Sequence, residues 1–315
     1  MSHVYCFCAK VITGRIAHFC SDQDVLRDDS PALLVIGCVM GRKWWGVDAG
    51  VRKLHVLATG LVVLAAFAAI GLPVAASATS AAAAPAACRH TFVPAYPWSS
   101  TFWTRAINSK PAPGVMILNV TGTGAGTAAV PHFQSLVKRA EKAGITVLGY
   151  SSTEYGQRPA AQVEADAKNY KAWYKVNGMF LDLTANGSGE LGYYKKLASY
   201  IHTVNPGSVI WLNVGAYPAR GYMSVGNVVV AFEGSYASYR GQQVPSWTSH
   251  YRARRFADVI YATPASDLAG AVSLSKHRRI GSLFVTNLAG SPDPYSALPS
   301  YWSKEVSDVA AGCAG

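Results

Sequence analysis

Two carboxylates, Asp182 and Glu233, each stand at the end of a short apolar run in the C-terminal part of this chain. Hydrolysis of a glycosidic bond needs such a pair, because one carboxylic acid protonates the leaving oxygen while a second carboxylate activates water or attacks the anomeric carbon. If the two runs are parallel strands of a barrel, both acids emerge on the rim where this architecture places its active sites. The sequence therefore predicts Asp182 and Glu233 as a catalytic pair.

Aromatic and amide side chains at the ends of neighbouring runs complete a pattern that is typical of a sugar site. Aromatic faces pack against the apolar faces of pyranose rings, and amides and carboxylates hydrogen-bond to hydroxyl groups. The residues predicted to contact substrate are Tyr96, Trp98, Asn119, Glu154, Tyr155, Asn213 and Trp247. The competing interpretation is structural: the aromatics would seal the top of the barrel, Glu154 would be a surface charge, and the amides would hydrogen-bond within loops.

Other chemistries find little support in the sequence. Structural roles are the alternative for the two acids, since Asp182 could cap a helix and Glu233 could pair with one of the many arginines. A glycine-rich segment, residues 122–126, lacks the full dinucleotide-binding spacing. No His, Asp or Glu spacing suggests a bound metal, and no serine has a histidine arranged as a triad. We therefore expect neither a metal nor a cofactor.

Eight apolar runs recur along the chain from Cys88 onward and predict eight strands. They are Phe92 to Tyr96, Val115 to Val120, Ile145 to Tyr150, Met179 to Leu183, Val209 to Val214, Val228 to Phe232, Val259 to Tyr261 and Leu283 to Val285. Continuous apolar runs are typical of parallel strands that are buried on both faces. We predict an α/β fold, a closed (β/α)8 TIM-type barrel, with an open doubly wound sheet as the alternative.

Helical periodicity fills the connections between these runs. The clearest patterns cover Pro131 to Ala143, Ala160 to Tyr174 and Glu190 to Val204, each with apolar residues on one face. Proline suits the first turn of the first pattern, and Asn205-Pro206-Gly207 ends the third. The spacing also predicts helices over Ser266 to His277 and Ser300 to Ala311.

The N-terminal part of the chain divides into two segments ahead of the predicted barrel, residues 85–315. Residues 51–84 have the layout of a secretory signal and an Ala-rich linker: cationic Val51-Arg52-Lys53, an apolar stretch, and small residues that favour cleavage after Ala78. An uncleaved membrane anchor is the alternative. Residues 1–50 precede the signal, so we interpret them as a gene-model extension or a poorly ordered segment. The protein is predicted to be secreted or displayed at the cell surface.

Cysteine usage fits an oxidising compartment. Four of the six cysteines lie within residues 1–50, and the remaining two, Cys88 and Cys313, stand at the two ends of the predicted barrel. We predict a disulfide between them, with two unpaired thiols as the alternative. Closing so long a loop would stabilise the fold by about 4–5 kcal/mol in the chain-entropy model.

Composition and charge describe a globular chain with basic character. Half of the residues are hydrophobic, 14% are charged, and the formal net charge is +11. This balance favours anionic surfaces or polymers. The basic residues are dispersed rather than clustered, which argues against nucleic acid. We predict an extracellular polysaccharide as the partner, no membrane contact beyond the signal segment, and a monomer.

Several motifs together resemble the spherulin-4-like (spherulation-specific family 4) proteins. The motifs are Pro94-Ala95-Tyr96-Pro97, Leu148-Gly149-Tyr150 with Tyr155-Gly156-Gln157-Arg158, Gly178-Met179-Phe180-Leu181-Asp182, Val230-Ala231-Phe232-Glu233 and Leu298-Pro299-Ser300-Tyr301-Trp302. The resemblance spans residues 90 to 303. It implies a (β/α)8 barrel and endo-acting hydrolysis of an exopolysaccharide that contains N-acetylgalactosamine, by retaining chemistry.

The chain departs from the family pattern at one carboxylate. The family's fourth strand ends in Asp-Glu, whereas this chain has Asp182-Leu183, and Asn287-Leu288 replaces acidic residues after the eighth strand. A leucine can neither transfer a proton nor accept a sugar hydroxyl. The alternative function is therefore a non-catalytic, polysaccharide-binding surface protein. An adhesive or wall-associated structural protein would need neither acid.

Overall fold

The C-terminal part of the chain folds into a closed barrel of eight parallel strands. The structure is a computed structural model that describes residues 9–12, 15–18, 88–291 and 293–311. The barrel strands are β1 (His90–Ala95), β2 (Val115–Leu118), β3 (Thr146–Ser152), β4 (Gly178–Asp182), β5 (Val209–Asn213), β6 (Val228–Ser235), β7 (Phe256–Tyr261) and β8 (Ser282–Val285). Each strand pairs with its neighbours in chain order, and β8 pairs with β1 to close the ring.

The helices of the barrel lie in the connections between strands. They are α1 (Ser100–Ile107), α2 (Pro131–Lys142), α3 (Ala160–Tyr174), α4 (Leu191–Val204), α5 (Tyr236–Gly241), α6 (Leu268–His277) and α7 (Trp302–Ala310). Helix α2 shows why such segments form: proline occupies its first turn, and Phe133, Leu136 and Val137 are buried on one face. The connection between β5 and β6 contains only a 3₁₀ turn, Arg220–Ser224.

The interior of the barrel is a packed core. The residues of β2 are all buried, as expected of a strand with helices on one side and the barrel interior on the other. Aromatic rings from distant strands meet across the interior: Phe92 lies 5.3 Å from Trp211 and 6.4 Å from Phe284 between ring centroids. Polar side chains can therefore reach solvent from the inner face only near the rim.

The predicted fold class is confirmed, and each of the eight predicted runs overlaps a strand of the barrel. The open-sheet alternative is wrong, because β8 hydrogen-bonds to β1. Sequence analysis missed two helices. Helix α1 begins after Ser99, whose side chain accepts a hydrogen bond from the backbone N–H of Phe102, and α5 has a similar cap at Ser235. Both are too short for periodicity to reveal them.

Most of the chain before Cys88 lies outside the described residues, so the sequence predictions made for it stay predictions. Two short antiparallel strands, Ala9–Ile12 and Arg15–His18, belong to a separate N-terminal unit. The predicted signal segment and most of residues 1–50 lie outside the described part of the chain, as does Cys313, so the disulfide with Cys88 stays a prediction. Within the described residues, no helix is long and apolar enough to cross a bilayer.

A buried ion pair fixes the loop that follows β3. The guanidinium of Arg158 lies 2.8 Å from the carboxylate of Asp166 on α3. The same carboxylate accepts hydrogen bonds from the Ser151 hydroxyl, at 2.7 Å, and from the backbone N–H of Ala125, at 2.9 Å. Arg158 also donates to the carbonyl of Ser152, at 2.9 Å. Because every partner is buried or nearly so, the network holds the end of β3 and two rim loops in one arrangement.

We predict that Asp166→Ala destabilises the fold by about 3–5 kcal/mol, because it leaves Arg158 and two buried donors without their acceptor. The matched control is Asp308→Ala, which breaks the exposed Lys304–Asp308 pair and should cost less than about 1 kcal/mol. Chemical denaturation of both variants measures the difference. Equal losses of stability would contradict the assigned role of the Arg158–Asp166 network.

Candidate active site

A cleft of about 460 Å³ opens at the carboxyl ends of the strands. Its lining comes from the ends of β4 to β7 and from the loops after β3, β5 and β8. The lining residues are Tyr155, Asp182, Leu183, Asn213, Val214, Gly215, Glu233, Tyr261, Gly290, Pro294 and Tyr295. The two predicted catalytic acids, Asp182 and Glu233, therefore share one solvent-accessible cleft on the rim where barrel enzymes place their chemistry.

Asp182 is the last residue of β4, and both of its carboxylate oxygens are engaged by side chains from adjacent strands. The hydroxyl of Tyr150, on β3, donates to Oδ2 at 2.6 Å. Nδ2 of Asn213, on β5, donates to Oδ1 at 2.6 Å. The side chain is therefore fixed from both sides, with its carboxylate at the floor of the cleft.

Glu233 reaches the cleft because β6 carries a bulge. The register of β6 against β7 shifts between Val230 and Phe232, so Ala231 is the extra residue. A bulge changes which residues face each side of a sheet. Phe232 thus packs outward against Tyr239 of α5, with ring centroids 4.8 Å apart, while the next residue, Glu233, points into the cleft.

The carboxylate of Glu233 also has two side-chain donors. Asn213 Nδ2 donates to Oε2 at 2.6 Å, and the hydroxyl of Tyr295 donates to Oε1 in a very short hydrogen bond. Tyr295 lies in the loop after β8, so the two donors approach from opposite sides of the cleft. As with Asp182, the geometry of the carboxylate is set before any ligand binds.

Asn213 bridges the two acids. Its single Nδ2 donates to Asp182 and to Glu233, so the two accepting oxygens lie no more than about 5 Å apart. That limit lies below the roughly 6.5–9.5 Å separation of inverting glycosidases and is compatible with the retaining arrangement, in which one carboxylate must reach the anomeric carbon directly. The carbonyl oxygen Oδ1 of Asn213 is buried and has no hydrogen-bond partner among the described residues. Asn213 was predicted to contact substrate, and the structure places it as the link between the acids.

The cleft shifts the acids toward their protonated forms. Burial raises the pKa of Asp182, although the hydrogen bonds from Tyr150 and Asn213 act in the opposite direction. Burial also raises the pKa of Glu233, although the hydrogen bonds from Tyr295 and Asn213 lower it. The nearby charge of Asp182 raises the pKa of Glu233 further. The pKa values of both acids are therefore raised, and the two carboxyls titrate as a coupled pair.

An aromatic cluster supports the donors from below. Tyr96 packs edge-on against Tyr150, with ring centroids 5.5 Å apart, and against Tyr295, at 5.2 Å. Burial raises the pKa of both hydroxyl donors well above the ordinary tyrosine value, so they remain protonated and can donate. Tyr96 was predicted to contact substrate, and in the structure it packs against the two tyrosines that hold the acids.

Residues with left-handed backbone conformation meet at one side of the cleft. Glu154, Tyr155 and Gly156 have φ values of 50°, 56° and 88°, and Leu183 has a φ of 47°. The backbone N–H of Tyr155 donates to the carbonyl of Leu183 at 2.7 Å, which ties the two strained segments together. Non-glycine residues in this conformation cost free energy and concentrate at binding sites. The result presents Tyr155, 58% exposed, and Leu183, 38% exposed, toward the opening.

The other predicted aromatic contacts lie outside the cleft lining. Trp98 is exposed and packs edge-on against Phe133 of α2, with centroids 4.8 Å apart. Trp247 packs against Tyr217 and Phe256 at about 6 Å, on the outer side of β7. Trp98 is the more accessible of the two predicted aromatics, whereas Trp247 contributes to core packing.

The remaining predicted polar contacts serve loop structure. Asn119 is buried, and its side-chain oxygen accepts a hydrogen bond from the backbone N–H of Gly122 at 2.8 Å. Glu154 is exposed in the strained turn, beside the cleft but not in its lining. Gly156, which ends that turn, lies so close to Glu190 that a Cβ would be only 2.7 Å from its Cγ, so the turn requires glycine there.

Sequence reasoning missed two residues that hold the acids, Tyr150 and Tyr295. Tyr150 sits in the third predicted strand, where alternation with the neighbouring residues could have placed it on the inner face. Tyr295 follows the last strand in a loop without a regular pattern, and nothing in the sequence marks it as a partner of Glu233. Within the described residues, no cluster of three or more His, Cys, Asp or Glu could hold a metal ion.

A closed parallel barrel with a hydrogen-bonded carboxylate pair in its rim cleft is a (β/α)8 barrel with an acidic site at the end where such barrels place their chemistry. A family model described as Spherulation-specific family 4 matches residues 90–309, and the chain belongs to that family. Spherulin-4 of Physarum polycephalum is 27% identical over 230 residues, which make up 69% of this chain and 69% of that protein.

A solved structure shares the fold. The crystal structure of Aspergillus clavatus Sph3 in complex with GalNAc superposes with a TM-score of 0.62 at 24% sequence identity. The match covers 71% of this chain and 98% of the Sph3 chain. The family resemblance noted from the sequence motifs is therefore confirmed, together with the barrel that it implies.

We predict that Tyr295→Phe raises the pKa of Glu233 further, because the variant removes a donor that favours the ionised carboxylate. Carbon-detected NMR titration of labelled glutamate carboxyls measures the change. The matched control is Tyr301→Phe, which removes a hydroxyl bonded to the carbonyl of Thr263 and should leave the titration of Glu233 unchanged. A Glu233 pKa that stays constant or falls in Tyr295→Phe would overturn the prediction.

Proposed function

We propose that this protein is a secreted or cell-surface glycoside hydrolase that cleaves internal bonds of an extracellular polysaccharide containing an N-acetylgalactosamine-type amino sugar. The observation that carries the proposal is the pair Asp182 and Glu233, whose accepting oxygens are held within about 5 Å of each other by one amide in an open cleft. The complex of Sph3 with GalNAc supports an amino sugar as the unit recognised, and the signal-like segment of the sequence supports the location.

The environments of the two acids assign different roles to them. Glu233, whose pKa is raised by burial and by the neighbouring charge, is the general acid that protonates the leaving glycosidic oxygen. Asp182 is the carboxylate that attacks the anomeric carbon as the C–O bond breaks, which yields a glycosyl ester. Glu233 then takes a proton from water, the resulting hydroxide attacks the same carbon, and the ester bond to Asp182 breaks.

The other residues of the cleft orient these two acids and the sugar. Tyr150, Asn213 and Tyr295 fix the carboxylates, so little reorganisation is needed when charge develops. Tyr155 offers an exposed ring at the opening, on which the apolar face of a pyranose can pack.

We predict that Glu233→Gln lowers kcat/KM on a galactosaminoglycan polymer by about 100- to 10,000-fold but retains activity on an aryl N-acetylgalactosaminide with a good leaving group, because that leaving group needs no protonation. Asp182→Asn should lose turnover of both substrates. Reducing-end release and aryl-group release measure the two activities, and NMR of the first product reports its anomeric configuration, which we expect to be retained. If both variants match the wild type, the carboxylate pair is not catalytic.

A second function, binding of the polysaccharide without cleavage, is favoured by Leu183. In the family pattern an acid follows the strand-end aspartate, and here an apolar side chain occupies that position in the cleft lining. A leucine supplies no proton and no hydroxyl contact, although it can pack against an apolar patch of a sugar. A binding protein would keep the cleft, the aromatic ring at the opening and the affinity, but not the turnover.

Leu183→Glu distinguishes the two functions. If the protein hydrolyses its substrate with Asp182 and Glu233, the variant changes the wild-type rate by less than about tenfold, because both acids and their donors remain in place. If the missing acid has disabled the site, hydrolysis appears in Leu183→Glu and is absent from the wild type. The control is Leu183→Gln, which adds a polar side chain of the same length without an acid. Reducing-end release from the polymer measures all three proteins.

A further inference from the structure

The direction in which the Glu233 side chain points depends on the bulge in β6, and the bulge needs contacts that stabilise it. Ala231, the extra residue, is completely buried, and its carbonyl lies where the regular ladder with β7 is interrupted. A buried carbonyl without a partner costs free energy, so an unsupported bulge tends to slip back into regular pairing. A slip by one residue would turn Glu233 away from the cleft and bring Phe232 toward it.

One side chain satisfies the carbonyl of the bulge. Nε2 of Gln242 donates to the carbonyl oxygen of Ala231 at 2.7 Å. Gln242 directly follows α5, and its own backbone is fastened twice: its N–H donates to the carbonyl of Tyr239 at 3.1 Å, and the guanidinium of Arg278 donates to its carbonyl at 3.0 Å. The amide that meets the bulge is therefore held on a rigid segment.

Phe232, the residue after the bulge, packs against α5, the helix that Gln242 follows. Phe232 packs on Tyr239, and the hydroxyl of Tyr239 donates to the fully buried carboxylate of Asp258, on β7, at 2.7 Å. The guanidinium of Arg278 lies over the ring of Tyr239, 4.2 Å from its centroid. Helix α5 and Arg278 thus hold both the carbonyl before Phe232 and the ring of Phe232 itself.

We infer that Gln242 is a positioning residue for Glu233: its hydrogen bond to Ala231 keeps the bulge in place, and the bulge directs the carboxyl of Glu233 to Asn213 and Tyr295. Gln242 is not among the residues that line the cleft, and its hydrogen bond to Ala231 connects it to the site through the backbone of β6. The catalytic consequence of this role rests on the proposed hydrolase function. The structural consequence, the placement of Glu233, does not.

The test compares Gln242→Met with Gln243→Met. Methionine keeps the length of glutamine but cannot donate to Ala231. The fold should tolerate the change, because Oε1 of Gln242 is buried without a partner in the described structure, and its removal relieves an unpaired acceptor. Gln243 is the matched control: it is exposed, and its amide bonds only to the carbonyl of Gly241, at 3.3 Å.

Two measurements report on the position of Glu233: the titration of its carboxyl and the kinetics on the polymer. In Gln242→Met we expect NMR titration to show the pKa of Glu233 rising further, because displacement of its carboxyl weakens the hydrogen bonds from Asn213 and Tyr295 that favour the ionised form. On the polymer, kcat should fall by about 100-fold with KM nearly unchanged, since a displacement of about 1 Å has that effect on an acid in catalysis. Gln243→Met should match the wild type in both measurements.

The outcomes separate the inference from the proposed function. If Gln242→Met leaves the titration of Glu233 unchanged, the positioning role is overturned, whatever the kinetics show. If the wild type has no hydrolytic activity, the proposed function fails, but the titration still decides the role of Gln242. Should Gln242→Met fail to fold, Gln242→Leu provides the same comparison, because leucine also has no donor for Ala231 and adds no charge that would itself shift the titration of Glu233. A shifted titration of Glu233 in that variant supports the inference.

Discussion

The carboxamide of Asn213 is the contact on which the site depends. Two carboxylates within about 5 Å of each other repel, and burial makes both charges costly. A single NH₂ group that donates one hydrogen to each acid offsets part of that cost and fixes the spacing. Tyr150 and Tyr295 then engage the outer oxygens, so each acid keeps one geometry. Without the bridge, the two carboxylates would lose the shared donor that offsets their repulsion.

The architecture brings these groups together from distant parts of the chain. Tyr150, Asp182, Asn213 and Glu233 come from four consecutive strands, and parallel pairing puts their carboxyl ends on one rim. The donors from β3 and β5 flank β4, so the position of Asp182 follows almost directly from strand order. Strand order alone does not place Glu233 in the cleft, because only the bulge in β6 turns its side chain inward. The two acids are thus placed by different means, one by regular structure and one by an irregularity.

Sequence patterns predicted what depends on local regularity. The apolar runs located every strand of the barrel, and the position of Asp182 and Glu233 at strand ends predicted that they would share a cleft. Irregular features were missed. Nothing in the run from Val228 to Phe232 reveals an extra residue, and Tyr295 reaches Glu233 from a loop whose path is decided by tertiary packing. The roles predicted for Asn119 and Trp247 as sugar contacts overlooked the backbone and core contacts that compete for amides and aromatic rings.

The ring of strands is not equally strong all the way around. Strands β8 and β1 pair at only two positions, Ser282 with His90 and Leu283 with Thr91, whereas β6 and β7 pair along six. Side chains reinforce this seam: Arg89 donates to the carbonyl of Ile280 at 2.8 Å, and His90 lies within hydrogen-bonding distance of Ser282. Transient opening of the barrel will therefore begin at the seam, and backbone amides there will exchange with solvent before those beside the carboxylates. Neither acid sits on a seam strand: Asp182 ends β4 and Glu233 lies on β6, and Asn213 on β5 links them on the side of the ring opposite the seam.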